Sequence, residues 1–242
     1  MRLFNHQAIS NRRERHPQDR SITRDEAFRV LRSNLRVAIS DLDNPIVLVT
    51  SAVAGEGKTS TCVTLAESLA DSGLQVVLVD LDLRDPDAHR SLGADIGPGV
   101  SEVLQGQAQI AEALQFIETE PDRGFYFLPT GAQVDNPAEL LGSDRAHQLL
   151  VALAAQAQIV LIDAPPVLPV ADTLIVGRYA AGVLLVVEAR RTPSTAVNKA
   201  KDALTRNQTR ILGVVMNKLQ SRDVGDDYGF DFQYGYHGRE SK

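Results

Sequence analysis

Six short apolar runs alternate with amphipathic segments along this chain, and that alternation admits few folds. The runs lie at 46–50, 75–80, 125–128, 158–163, 182–187 and 211–215. Helical patterns fall between them at about 58–72, 137–155, 170–180 and 194–207. A further helix is expected behind a Thr23/Glu26 capping-box pattern, with Phe28, Leu31, Leu35 and Leu42 as its apolar stripe and an end before Pro45. Strands that read as continuous apolar runs are buried on both faces. Their alternation with helices predicts an α/β fold, a mostly parallel sheet with helices on both faces.

The first turn of this pattern carries the strongest chemical signal. Gly55-Glu-Gly-Lys-Thr59 follows one strand and opens one helix. Glycines let backbone N–H groups surround phosphate oxygens, and the helix N-terminus adds favourable partial charge. The expected phosphate cradle is Ala54, Gly55, Glu56, Gly57, Lys58, Thr59 and Ser60. Lys58 is expected to reach the β- and γ-phosphates, and the Thr59 hydroxyl to ligate Mg²⁺. The first position of the eight-residue pattern, usually Gly, is Ala52. Gly73 is expected to close the following helix.

Acids gather at the same edge. Asp80 ends one strand, with Asp82 two residues on, and Asp163 ends another. Ligands of open parallel sheets bind at the carboxyl ends of strands. Three carboxylates beside a phosphate loop suit a hard cation that bridges phosphates and keeps several waters. Asp80 and Asp82 also have a blander reading, as caps for loop amides. Asn217-Lys218 resembles the start of a guanine-reading N-K-x-D motif, but its fourth position is Gln220. ATP is therefore the expected nucleotide, with Asn217 either a base contact or a strand-end turn residue. Cys62, one turn into the helix, reads as a buried structural thiol.

The chain has 242 residues, and that single cysteine excludes a disulfide framework or a multi-cysteine metal site within the monomer. It fits a reducing cytosol. Net charge is −6, so nucleic acid is not an expected partner. Residues 1–20 read as a flexible basic tail, 21–219 as one P-loop domain and 220–242 as a flexible tail. Five of the 12 aromatics, Tyr228, Phe230, Phe232, Tyr234 and Tyr236, crowd into that last segment.

Taken together these motifs resemble the bacterial tyrosine kinases of capsule and exopolysaccharide assembly, within the partition and division-site ATPase superfamily. The resemblance covers about residues 21–236. It rests on the P-loop, on Asp80-Leu-Asp82, and on Asp163-Ala-Pro-Pro-Val-Leu-Pro-Val-Ala-Asp172. It also rests on Asn136-Pro-Ala-Glu-Leu-Leu141 and on Glu26-x-x-Arg29-x-x-Arg32. Ala54 departs from the family's usual proline.

The resemblance implies an ATP- and Mg²⁺-dependent protein-tyrosine kinase that autophosphorylates Tyr228, Tyr234 and Tyr236 between subunits. It implies a ring in which Glu26, Arg29 and Arg32 meet the next copy. It implies a cytoplasmic, free-standing subunit recruited to the plasma membrane by a chain-length-control adaptor, with a tyrosine phosphatase resetting the tail. Lys58, Asp80, Asp82 and Asp163 form the expected catalytic set. Thr59, Asp82 and Asp163 are the expected Mg²⁺ ligands. Asp80 or Asp82 accepts the tyrosine proton, with Asp80 favoured. The main rival is a partition-type ATPase switch. Its extra lysine, five residues before the P-loop lysine, is Val53 here.

Overall fold

The computed structural model describes residues 8–10, 20–42 and 45–219. The elements in chain order begin with β1 (Ala8–Ser10), α1 (Arg20–Ile39), β2 (Ile46–Ser51), α2 (Lys58–Asp71) and β3 (Val76–Asp80). Three short helices follow: α3 (Ala88–Leu92), α4 (Val100–Gln105) and α5 (Ile110–Ala113). The second half holds β4 (Gln115–Glu120), β5 (Arg123–Leu128), α6 (Pro137–Leu141), α7 (Asp144–Ala154), β6 (Ile159–Asp163) and α8 (Asp172–Val176). It closes with β7 (Gly182–Glu188), α9 (Ser194–Arg206) and β8 (Ile211–Asn217).

Among the described residues the strands form one eight-stranded sheet in the order β1-β4-β5-β3-β6-β2-β7-β8. Every pairing is parallel except β4 with β5. The two faces explain why the strands read as unbroken apolar runs. Along β2, Ile46 and Leu48 face a cluster with α7, α8 and α9, while Val47 and Val49 face a cluster with α1, α2 and α3. Burying one such side chain stabilises the fold by about 1.5–3 kcal/mol.

The structure corrects several expectations. Ala8–Ser10, inside the expected N-terminal tail, pairs with β4 as a parallel strand. The first helix begins at Arg20, so Thr23 lies within it and does not cap it. The helix expected over 137–155 is two, because the Ser143 hydroxyl accepts from the Ala146 N–H and starts α7 afresh. That expected over 170–180 shrinks to α8 and a 3₁₀ turn, Gly177–Tyr179. Gly73 does close α2. At φ 87° it donates to the Ala70 carbonyl while Leu74 donates to Leu69, which satisfies two terminal carbonyls.

Candidate nucleotide and phosphoryl-transfer site

β2, β6 and β3 are neighbours in the middle of the sheet, and their carboxyl ends build the site. The loop after β2 leads into α2, with Gly55 at φ 83° and Gly57 at φ 88°, the left-handed region where glycine is favoured. Gly57 is constrained twice, since a Cβ there would lie 2.1 Å from Asn217 Nδ2.

Lys58, the first residue of α2, donates to Asp82 Oδ2 at 2.8 Å and to Thr59 Oγ1 at 3.3 Å. Its Nζ is 3.8 Å from Asp163 Oδ1. Burial alone would lower the lysine pKa, but Asp163, Asp82 and Asp80 together raise it. Lys58 is therefore a cation at any working pH.

The three carboxylates differ. Asp80 and Asp163 are direct register partners on β3 and β6. Asp80 is fully buried, accepting from the Asp82 N–H at 3.1 Å and the Ala88 N–H at 3.3 Å. Both oxygens thus hold the β3–α3 loop in shape. Asp82 accepts from the Asp85 N–H through Oδ1 and from Lys58 through Oδ2. Asp163 is 1 % exposed, and neither of its oxygens has a hydrogen-bonded partner. Burial pushes its pKa up to about 6, against the opposing pull of Lys58 and of the nearby Thr59 hydroxyl, which lies just outside hydrogen-bonding geometry.

A buried carboxylate with two orphaned oxygens beside a threonine hydroxyl and a phosphate loop fits a hard divalent cation. Among the described residues no group of three His, Cys, Asp or Glu side chains forms a metal cage. Thr59, phosphate oxygens and water would supply the other ligands.

The remaining expected cradle residues have distinct roles. Glu56 turns inward, 2 % exposed, accepting from the Val53 N–H at 2.8 Å and from the Thr192 hydroxyl. Its side chain holds the loop to the segment after β7 and does not face solvent. Ser60 donates to the Gly57 carbonyl at 3.0 Å. Asn217 Nδ2 donates to the Glu56 carbonyl at 2.9 Å, and Lys218 Nζ donates to the Gly55 carbonyl at 2.6 Å. Asn217 thus braces the loop from β8. Cys62 is fully buried, and burial pushes its thiol pKa up.

One pair escaped the sequence reading. Arg84 grips Asp172 through two bonds, Nε to Oδ2 at 2.7 Å and Nη2 to Oδ1 at 3.0 Å. It ties the loop after Asp82 to the segment after Asp163. A cavity of about 340 Å³ opens beside Arg84, lined by Asp135, Asn136, Pro137, Ala138 and Glu139. The Asn136-Pro-Ala-Glu stretch therefore borders the acidic loop.

The expected interface residues lie elsewhere, on α1. Glu26 and Arg29 pair at 3.2 Å with side chains 58 % and 65 % exposed. Arg32 instead donates to the Ser68 carbonyl on α2 at 2.6 Å. Tyr228, Tyr234 and Tyr236 lie outside the described residues.

A phosphate loop after an inner strand of a mostly parallel sheet, facing Asp163 on the adjacent strand β6 and Asp80 and Asp82 at the end of β3 one strand further on, defines a P-loop nucleotide-binding protein. The AAA domain family matches residues 45–211. Tyrosine-protein kinase YwqD of Bacillus subtilis is 34 % identical over 213 residues, covering 88 % of this chain and 86 % of that protein. Tyrosine-protein kinase wzc of Salmonella typhimurium is 32 % identical over 212 residues, 87 % of this chain but 29 % of its own length. The kinase domain of the Escherichia coli tyrosine kinase ETK superposes with a TM-score of 0.75 at 30 % identity, covering 85 % of this chain and 80 % of that one. The Pyrococcus furiosus cell division ATPase MinD superposes with a TM-score of 0.61 at 26 % identity, covering 74 % and 75 %. The chain belongs to the bacterial tyrosine-protein kinase family.

Proposed function

We propose that this chain transfers the γ-phosphoryl group of ATP to Tyr228, Tyr234 and Tyr236 of a neighbouring copy, and so regulates capsule or exopolysaccharide synthesis and export. The observation that carries the reading is the meeting of Lys58, Asp82 and the orphaned Asp163 at the phosphate loop of a tyrosine-kinase relative. The chain leading to the tyrosines also leaves from this place, since Asn217 and Lys218 touch the loop.

Phosphoryl transfer asks mainly for positioning and charge neutralisation. The loop amides from Gly55 to Ser60 would hold the phosphates, and Lys58 would exchange Asp82 for a γ-phosphate oxygen. Asp163 and Thr59 would hold Mg²⁺, with Asp82 near it; the cation would neutralise charge on the phosphates. The tyrosine oxygen then bonds to the γ-phosphorus, the bond to the β–γ bridging oxygen breaks, and ADP departs. The sequence favours Asp80 as the proton acceptor. With both Asp80 oxygens engaged by amides, Asp82 is the better acceptor, because releasing Lys58 frees its Oδ2.

The 23 residues beyond Leu219, at about 3.3–3.6 Å each when extended, are long enough to reach a neighbouring subunit. We place the working protein at the inner face of the membrane, held by a chain-length-control adaptor and reset by a phosphatase. Among the described residues no helix is long and apolar enough to cross a membrane. A partition-type switch is the second reading, supported by the likeness to MinD; Val53 at its lysine position weighs against it.

The test mixes full-length Lys58→Met with a catalytically intact Tyr228→Phe/Tyr234→Phe/Tyr236→Phe chain in Mg·ATP. Phosphotyrosine on the Lys58→Met chain supports transfer between copies. None there, with a wild-type control that labels itself, confines transfer to one chain. No phosphotyrosine in any mixture favours the switch.

A further inference from the structure

β8 is the last strand of the sheet, and among the described residues nothing pairs with its outer edge. Open edges are usually blunted by charge, proline or brevity. β8 has none of these: it runs Ile211-Leu-Gly-Val-Val-Met-Asn217 over seven residues. Its register with β7 sets Val214 and Met216 opposite Leu185 and Val187, on the face that α7 and α9 cover. Val214 is 58 % and Met216 39 % exposed there. The Asn217 carbonyl accepts from the Ala189 N–H just beyond β7. Strand alternation therefore turns the N–H and C=O groups of Val214 and Met216 to the open edge.

The chain itself supplies a segment of matching pattern. After Leu219 comes Gln-Ser-Arg-Asp-Val-Gly-Asp-Asp, rich in turn-forming Asp and Gly. Then Tyr228-Gly-Phe-Asp-Phe-Gln-Tyr-Gly-Tyr236 places an aromatic at every second position, with Gly, Asp and Gln between. Period two is the pattern of a strand with one apolar face. Nine residues at about 3.3 Å each are long enough to cover β8.

We propose that residues 228–236 add to the outer edge of β8 in their own chain as an antiparallel strand, with the aromatic face beside Val214 and Met216. The connection from Lys218 to Asp227 keeps the segment at a high effective concentration near that edge. Backbone pairing supplies the attachment and the alternating aromatics set the register.

The consequence for regulation rests on the tyrosine-kinase reading. Docked tyrosines run back along the edge, away from the strand ends that carry Lys58, so the docked tail is a resting position. Each phosphate adds about −1.5 to −2 charges. A modified tail is then disfavoured against the apolar strip and stays off.

Hydrogen exchange on the unphosphorylated full-length chain tests this directly. The Val214 and Met216 amides should exchange at least about tenfold more slowly than in full-length Phe230→Ser/Phe232→Ser, whose backbone is unchanged outside the tail. Val214→Lys should abolish protection at Met216 from the other side of the contact. Protection should survive hundredfold dilution. Equal exchange in wild type and the double phenylalanine variant overturns the proposal. Protection lost on dilution also overturns it, by assigning the strand to a second copy. Protection without any phosphotyrosine formation on adding Mg·ATP would instead sink the kinase reading and leave the docking intact.

Discussion

Lys58 Nζ lies 2.8 Å from Asp82 Oδ2, so the cation expected to grip a γ-phosphate is held by the carboxylate expected to receive a tyrosine proton. One contact therefore restrains both partners of the reaction. On the proposed mechanism, nucleotide would break it before either group acts.

Lys58→Met should abolish tyrosine phosphorylation while the protein stays folded. Asp82→Asn should lower kcat by about 10²–10³-fold, the range for a group that stabilises transferring charge. Its ATP affinity should hold or rise, because Lys58 no longer has to leave a carboxylate. Phosphate incorporation and nucleotide titration on the same samples separate the two effects. Full activity in Asp82→Asn would return the proton-accepting role to Asp80.

Asp163 makes stability depend on pH. Burial raises its pKa to about 6, above the value of about 3.9 for an exposed aspartate. Between these values the native state holds more protons than the unfolded state, so stability falls as pH rises from about 4 to 6. Thermal melts in chelator across that range should show the loss, and Asp163→Asn should flatten it.

Asn217 and Gly57 should behave as a packed pair. Gly57→Ala meets both a left-handed backbone and the Asn217 amide, and should weaken nucleotide binding strongly. Asn217→Ala removes the bond to the Glu56 carbonyl. If bracing is its role, affinities for ATP and for inorganic tripolyphosphate should fall by the same factor. A loss confined to ATP would assign it to the base.

The α1 arginines should separate, although they lie within one helical turn of the same motif. Arg32 is tied to Ser68 of its own chain, so Arg32→Ala should lower the melting temperature. Arg29 is largely exposed, so Arg29→Ala should leave the melt unchanged and reduce the mass of any ring seen by light scattering. Phosphorylated wild type should sediment as a smaller species than Lys58→Met in the same buffer, because several charges are added to each tail. Equal sedimentation would separate assembly from phosphorylation.

The central strands were legible because burial on both faces leaves apolar runs, and their shortness, β-branched content and alternation with helices set them apart from buried helix. The phosphate loop was legible because glycine, lysine and threonine at fixed spacing have few other uses. β4 was not. Gln115-Phe-Ile-Glu-Thr-Glu120 mixes polar and apolar residues on a half-buried strand, and its antiparallel pairing follows from the tight turn at Asp122, φ 63°. The roles of the acids were hidden for another reason. Asp80 and Asp82 have the same chemistry, and only their surroundings separate them: two loop amides on Asp80, one amide and the Lys58 ammonium on Asp82. The Arg84–Asp172 pair spans 88 positions and leaves no local trace.

Lys218 bonds both to the Gly55 carbonyl and to Glu188 Oε2, at 2.6 and 2.9 Å. With Asn217 it forms the anchor from which the C-terminal segment departs. A mechanical load on that segment, from a bound partner or a neighbouring copy, would bear first on the carbonyls of Gly55 and Glu56 and only afterwards on the sheet. The proposed phosphate loop and the root of the tail are thus tied together, and tension in the tail would be felt as a change of shape at that loop.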